Sequence, residues 1–349
     1  MRRLLLALAF VLLVPSTALA TWSIIAIDLN TGRVVIASAT CAATGPDQLK
    51  LLQAVVVPGV GVAAAQAGVD RTHENQKLIF AELQNGTDPV EIIRMLEEDP
   101  NIERRQFGII DMQGRTAGRS GEGNRPVSLD IQGRSPDNIL YSVQGNIIAT
   151  TEALTEPARI MQEGSDDVID RVMRAMERAD ELGGDSRCTC ETEPLPEAYA
   201  DCNGKTSHVA YILAADPENT LGEFADNHPE NLRAPYNDGD YYLYISAIPT
   251  NTLPHEDANP VRTLRMRYDA WRGSGGVARV VQRGCRTRMA GATQLSEPRT
   301  PGWPDAAPMA GSGWAQEDGN PRENLLSDSV VFRPMELNMP LRTVERVPA

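Results

Sequence analysis

The sequence predicts an α+β fold in which two stacked, mainly antiparallel sheets carry helices on both outer faces. Two observations lead there. Alternating, β-branched stretches come in blocks joined by tight-turn signals, which reads as hairpins. Helical stretches come in pairs between those blocks, not one per strand, which disfavours a doubly wound parallel sheet. Aromatic residues make up only 5% of the 349-residue chain, so the core is expected to be aliphatic.

In chain order, residues 1–20 read as a secretory leader. Arg2-Arg3 is a basic start, Leu4 to Val14 an apolar run, and Pro15 to Ala20 ends in an A-x-A cleavage signal. The segment is too short for a membrane span. Thr21 to Asp28 alternates as a strand, Asn30-Thr-Gly32 marks a turn, and Arg33 to Ala39 returns as a second strand. Leu51 to Val57 and Val60 to Ala65 repeat that pattern around Pro58-Gly59. Helical spacing takes over in His73 to Leu83 and Pro89 to Leu96, the latter with Asp88 as cap and Pro at its first position. Phe107 to Asp111 and Arg115 to Gly118 form a hairpin around Gln113-Gly114, and Ile139 to Val143 is a strand that stops at Gln144-Gly145-Asn146. Two helices follow, Glu152 to Gln162 and Asp166 to Leu182, closed by Gly183-Gly184. An irregular insert rich in Cys, Glu and Pro runs from Arg187 to Gly204. Val209 to Ala214 and Tyr241 to Ile248 are apolar strands, and Asn259 to Trp271 is a closing helix. From Gly273 to Ala349 the apolar periodicity fades into Gly, Pro, Arg and Ser, which reads as a poorly ordered tail with one strand-like patch at Ser329 to Met335. The domain plan is thus a leader at 1–20, a single domain at 21–272 and a tail at 273–349.

Composition narrows function. The net charge of −14 becomes more negative once Arg2 and Arg3 leave with the leader, which argues against nucleic acid and anionic membrane surfaces as partners. No later stretch has the length and apolarity of a membrane helix. No motif points to a cofactor. The oligomeric state is left open, a homo-oligomer among the alternatives.

Export makes disulfides an expectation for the five cysteines, Cys41, Cys188, Cys190, Cys202 and Cys285. The preferred pair joins Cys202 to Cys188 or Cys190, with Cys41 read as a small buried apolar residue. A metal site on Cys188, Cys190, Cys202 and His208 is the weaker alternative, because the spacing is not C-x-x-C.

Cleavage after Ala20 would leave Thr21 with a free α-amine. Such a residue carries its own nucleophile and its own base. An ordinary residue following a cleavage site is the plain alternative.

Several segments together resemble the family DUF1028 (domain of unknown function 1028). Thr21-Trp-Ser-Ile-Ile-Ala-Ile-Asp28 is similar to its T-[FWY]-S-I-V-A-x-D opening, and Gly61-Val-Ala-Ala-Ala-Gln-Ala67 to its G-V-x-A-T-Q-A segment. Arg105 to Asp111 resembles R-Q-x-G-V-V-D, Tyr141 to Asn146 resembles Y-A-V-Q-G-N, and Gly183 to Arg187 resembles G-G-D-x-R-G. The likeness spans roughly Thr21 to Trp271. It implies an Ntn-hydrolase-like, four-layer αββα sandwich with Thr21 as the exposed nucleophile. The chain departs from the pattern twice. The Cys-bearing insert interrupts the run after Arg187, with Lys205-Thr-Ser-His208 resuming it, and Gly68 to His73 replaces the usual aromatic and Asn-Pro residues after Ala67.

Hydrolysis of this type needs neutral oxyanion donors and groups that tune the amine. Asn146 and Gln66 are the candidate donors. Arg187 or Lys205 would lower the amine pKa through their charge. Asp185 would orient the amine, with Ser23 and Asp111 as further orienters. Each has a structural alternative: a turn for Asn146, buried backbone satisfaction for Gln66, a cap for Asp185, and solvated insert flanks for Arg187 and Lys205. His73 and His208 read as core or surface histidines. Asn237-Asp-Gly-Asp240 reads as a turn, since a full calcium loop is absent, and Ser207 lacks nucleophile-elbow glycines. The expected activity is exported amidohydrolysis of a small amide or peptide substrate. A secreted non-catalytic binding or scaffold protein is the second reading, and a thiol or metal protein built on the insert is the third.

Overall fold

A computed structural model describes residues 21–42, 44–188, 205–222 and 234–276. The described residues form ten strands and six α-helices. Strands β1 (Thr21–Asp28) and β2 (Val34–Thr40) form the first hairpin, with Gly32 at φ 79° in its turn. Helix α1 (Pro46–Gln53) leads into β3 (Ala54–Val57) and β4 (Gly61–Ala67). Helices α2 (Glu74–Asn85) and α3 (Pro89–Leu96) follow, the second capped by Asp88, whose carboxylate accepts the Val90 N–H at 2.9 Å. Next come β5 (Arg105–Asp111), β6 (Thr116–Ser120), β7 (Leu129–Arg134) and β8 (Ile139–Asn146). Helices α4 (Glu152–Glu163) and α5 (Val168–Glu181) precede β9 (Val209–Ala215), β10 (Leu243–Ala247) and α6 (Pro260–Gly273).

The strands form a six-stranded sheet in the order β10-β9-β2-β1-β8-β7 and a four-stranded sheet in the order β3-β4-β5-β6. Every pairing is antiparallel. Alternation along each strand divides the side chains between two layers. In β1, Trp22, Ile24 and Ala26 pack with Val172, Met173 and Met176 of α5 and Leu264 of α6. Ile25 and Ile27 turn the other way and meet Val56, Val62, Ala64 and Ile110 of the second sheet. That sheet's opposite face, with Val55, Ala63, Phe107 and Ile109, packs on Ile79 and Leu83 of α2 and Ile92 and Leu96 of α3. The layers are therefore helix, sheet, sheet, helix, the expected αββα arrangement.

Two elements differ from expectation. Leu51 to Gln53 belong to α1, and the strand begins only at Ala54. The stretch from Leu51 to Val57, apolar except for Gln53, hides a helix-to-strand boundary, since periodicity alone does not separate the two in short apolar runs. Strand β7 was not anticipated. Leu-Asp-Ile-Gln-Gly-Arg is half-buried along most of its length and carries little apolar signal. Of the insert, residues 189–204 lie outside the described residues, as does the tail beyond Gly276 with its patch at Ser329 to Met335. No helix among the described residues is long and apolar enough to cross a membrane.

Candidate functional site

Thr21 is the first residue of β1, a strand bonded on both edges within the six-stranded sheet. It lies opposite Asn146 of β8 and is 1% exposed. Thr40 of β2 stands on its other side, one step beyond the Trp22–Ala39 pair. Strand alternation places Thr21 on the same face as Ser23, and that face looks at the second sheet. At this end of the intersheet layer amides and hydroxyls replace aliphatic side chains: Gln66 on β4, Gln106 on β5, Ser142, Gln144 and Asn146 on β8.

One residue orients the cluster. Gln106 Nε2 donates to the Gly145 carbonyl at 2.9 Å and the Leu129 carbonyl at 3.0 Å. A carbonyl only accepts, so the orientation of the Gln106 amide follows from the network. Its oxygen must then receive donors, and it does: Gln66 Nε2 at 2.7 Å and Asn146 Nδ2 at 3.3 Å. Gln66 gives its remaining hydrogen to the Thr21 carbonyl at 3.1 Å, while its oxygen accepts from Ser23 Oγ at 2.6 Å and Gln53 Nε2 at 2.8 Å. The Ser23 hydroxyl in turn accepts Gln144 Nε2 at 2.7 Å, and Gln144 Oε1 accepts Ser142 Oγ at 2.7 Å. Gly108 leaves room for these groups, because a Cβ there would lie 2.3 Å from Gln144 Oε1.

The orientation separates the two proposed oxyanion donors. Both Gln66 hydrogens are committed, so Gln66 positions the Thr21 carbonyl. Asn146 commits one hydrogen to Gln106 through a long bond and keeps the chemistry of a donor beside Thr21. The chain is also strained directly after each amide. Ala67 has φ 70° and Ile147 has φ 57°. The left-handed region is unfavourable for any residue with a Cβ and most of all for a β-branched one, and such outliers gather where function overrides backbone comfort.

The other flank of Thr21 is charged. Asp185, 1% exposed, accepts the Cys41 N–H at 2.8 Å and holds the Arg187 guanidinium at 2.8 and 3.1 Å. Arg187 extends to Thr40 Oγ1 at 3.5 Å. A disulfide between Cys41 and Cys188 ties the end of β2 to this segment. Lys205 is buried just before Thr206, whose carbonyl accepts the Asp185 N–H at 3.3 Å.

That disulfide removes one arm of the expected pairing, Cys188 with Cys202, while Cys190 and Cys202 lie outside the described residues. Cys41 is half of a covalent link rather than an apolar filler. Sequence spacing favours near neighbours, whereas the sheet brings together residues 147 positions apart. The proposed metal set loses Cys188 to the same link. Asp111 is also misplaced as an orienter. It lies opposite Gly61 at the far end of β5 from Gln106 and accepts Arg115 Nε at 2.7 Å. His208 Nδ1 is 3.0 Å from the Cys41 carbonyl, and His73 Nδ1 is 2.8 Å from Tyr236 Oη. Burial holds the His73 imidazole below its ordinary pKa despite the nearby Asp70 carboxylate. Asn237 sits in a turn and donates to the Lys50 carbonyl at 3.2 Å. The sequence reading missed Gln106, Gln144 and Thr40. Gln144 lies two residues before Asn146 on β8, so strand periodicity could have placed it on the face of Asn146, whereas Gln106 lies on the other sheet and carries no such signal.

The sequence pattern of a family of unknown function, DUF1028, matches residues 21–191. A crystal structure of a Silicibacter pomeroyi protein described as DUF1028 is similar at 16% identity and a TM-score of 0.48, over 72% of this chain and 89% of that one. No curated protein matches the chain.

Proposed function

We propose, for a chain that belongs over residues 21–191 to the family of unknown function DUF1028, that removal of residues 1–20 turns Thr21 into the nucleophile of an amidohydrolase acting on a small amide or peptide. The observation that carries this reading is the place of Thr21. It heads an interior strand, faces the intersheet layer, and stands between Asn146 and Thr40 with its carbonyl held by Gln66. While Ala20 is attached, the Thr21 nitrogen is a peptide amide and not a base. Cleavage supplies an amine with an ordinary pKa of about 8, suited to proton transfer near neutrality.

The reaction runs in two halves. Thr21 Oγ attacks the substrate carbonyl while the α-amine takes its proton. Asn146 Nδ2 stabilises the oxyanion, and the leaving amine departs with the proton from the α-ammonium. Water then attacks the resulting ester, again with the α-amine as base, and the carboxylic acid leaves. Asp185 holds Arg187 toward this site, and the guanidinium favours the neutral amine over its ammonium form. Lys205 would act in the same sense. Export is part of the proposal: the leader supports it, and the Cys41–Cys188 disulfide suits an oxidising compartment.

A second reading, a non-catalytic binding protein, draws on the 1% exposure of Thr21. Intact mass and N-terminal sequencing of the exported protein come first, with a start at Thr21 and a free amine expected. On an amide that the mature protein hydrolyses, Thr21→Ala should lower kcat by about 10⁴-fold or more while circular dichroism and Tm stay unchanged. A Thr21→Ala protein of full activity would rule the mechanism out, and a blocked or shifted terminus favours the binding reading.

A further inference from the structure

The bend after β4 and the first turn of α2 enclose a crevice beside the Thr21 cluster. It is lined by Gln66, Gly68, Asp70, Asn75, Gln76 and Arg105, among others, and has room for about one water-sized group. Gln66 belongs to both places, since it also donates to the Thr21 carbonyl at 3.1 Å.

Arg105 brings a guanidinium to the crevice wall, but the hydrogen-bonding capacity left unused there is an acceptor. Gln76 is 1% exposed and donates Nε2 to the Leu52 carbonyl at 2.5 Å. That acceptor fixes the amide orientation, so the group left over is the oxygen, and Gln76 Oε1 has no hydrogen-bond partner. A buried acceptor without a donor is costly and calls for an N–H or O–H. Arg105 does not supply it. Its Nε is bound to Asp99 at 2.8 Å and its Nη1 to the Gly68 carbonyl at 2.5 Å. Asp70 adds negative charge. Burial pushes its carboxyl up, but the Asn75 N–H, the Thr72 hydroxyl and N–H and the nearby Arg105 charge outweigh this and hold it below its ordinary value. No ion pair joins Asp70 to a cationic side chain among the described residues. The crevice thus offers an unpaired acceptor and a carboxylate to a group the size of one nitrogen.

We propose that this crevice is a subsite for a primary ammonium group, so that the substrate of the Thr21 site is an amino-acid amide. The substrate half of this inference rests on the proposed hydrolase function. The binding half does not.

The test reads binding on a protein that cannot turn over. Glycinamide and its uncharged analogue N-acetylglycinamide are titrated into the mature Thr21→Ala chain by calorimetry or ligand-observed NMR. Glycinamide should bind at least tenfold more tightly than the acetylated analogue. Gln76→Met, which keeps the length of the side chain and removes the oxygen, should weaken glycinamide binding five- to tenfold. Asp70→Asn should weaken it about threefold, and it carries the test if Gln76→Met fails to fold. Neither variant should alter the affinity for the acetylated analogue. Equal affinity for the two probes, no binding to a folded protein, or an unchanged glycinamide affinity in both variants would each overturn the subsite. So would an ordered water that keeps its place on Gln76 Oε1 at saturating glycinamide. Binding without hydrolysis by the Thr21 protein would leave the subsite standing and remove the hydrolase reading, whereas hydrolysis with no preference for the free amine would do the reverse.

Discussion

The two ends of the intersheet layer are built from the same strands and follow opposite rules. Toward Asp28 and Val34 the layer is aliphatic, with Ile27, Val34, Val62, Ile110 and Leu140 fully buried or nearly so. Toward Thr21 it is a network of glutamines, asparagine and serines with equally little exposure. The aliphatic end is held by non-directional burial, worth about 25 cal/mol per Å² of apolar surface, and tolerates any filler of the right volume. The amide end gains little net energy per bond, about 1 kcal/mol, yet each bond fixes which way a neighbour points. One end supplies stability. The other supplies orientation, and it is the end that adjoins Thr21.

The largest effect expected from this contrast is at Gln106. Gln106→Leu strands two buried carbonyls and removes the acceptor for Gln66 and Asn146. It should cost about 4 kcal/mol in denaturant unfolding, far more than a volume-conserving change at the aliphatic end. A cost near 1 kcal/mol would mean that the network is loosely specified. Gly108→Ala probes the packing of the same end. The added Cβ would meet Gln144 Oε1 at 2.3 Å and Ser142 Oγ at 2.6 Å, and should cost about 2 to 3 kcal/mol with disturbed amide resonances around Ser23.

Acid sharpens the comparison, because Ser23, Gln66, Gln106, Ser142, Gln144 and Asn146 hold no charge to titrate. Loss of stability at low pH is then drawn from ion pairs outside this network, such as Asp99 with Arg105. Burial opposes the Asp99 charge, but hydrogen bonds from Arg105, Asn75 and the Asn101 N–H outweigh it and lower its pKa from 3.8 to about 2. A depressed carboxylate stabilises the fold above its unfolded pKa. This pair should therefore contribute about 2 kcal/mol near neutrality, lost as pH falls from about 4 to about 2 and absent in Asp99→Asn. Smallest of all should be Ile36→Val at the aliphatic end, about 1 kcal/mol by the same denaturant measurement.

The strand-and-helix order was legible, and with it the layers, because alternation and helical spacing record which face each residue buries. The approach of Gln66 and Asn146 to Thr21 was legible through the resemblance and through strand periodicity. The role of Gln106 was not. A glutamine at the start of a strand carries no apolar signal, and its meaning comes from two carbonyls on other strands. The Cys41–Cys188 link was hidden for a similar reason, since spacing along the chain says little about which sulfurs a sheet brings together. Helix α1 was lost because Leu51, Leu52 and the valines that follow form a short, mostly apolar stretch broken only by Gln53.

The place of β1 has a kinetic consequence. It is the first strand of the described residues, yet it is completed late, because one edge pairs with β2 at once while the other waits for β8, roughly 120 residues later in the chain. Pairings of such long range fold slowly, in milliseconds to seconds or longer. During that wait the apolar stretch Trp22 to Ile27 presents an unpaired edge, which another copy of the chain can occupy as readily as β8. The yield of native protein on dilution from denaturant should then fall as protein concentration rises, since the hairpin takes its third strand from whichever chain arrives first.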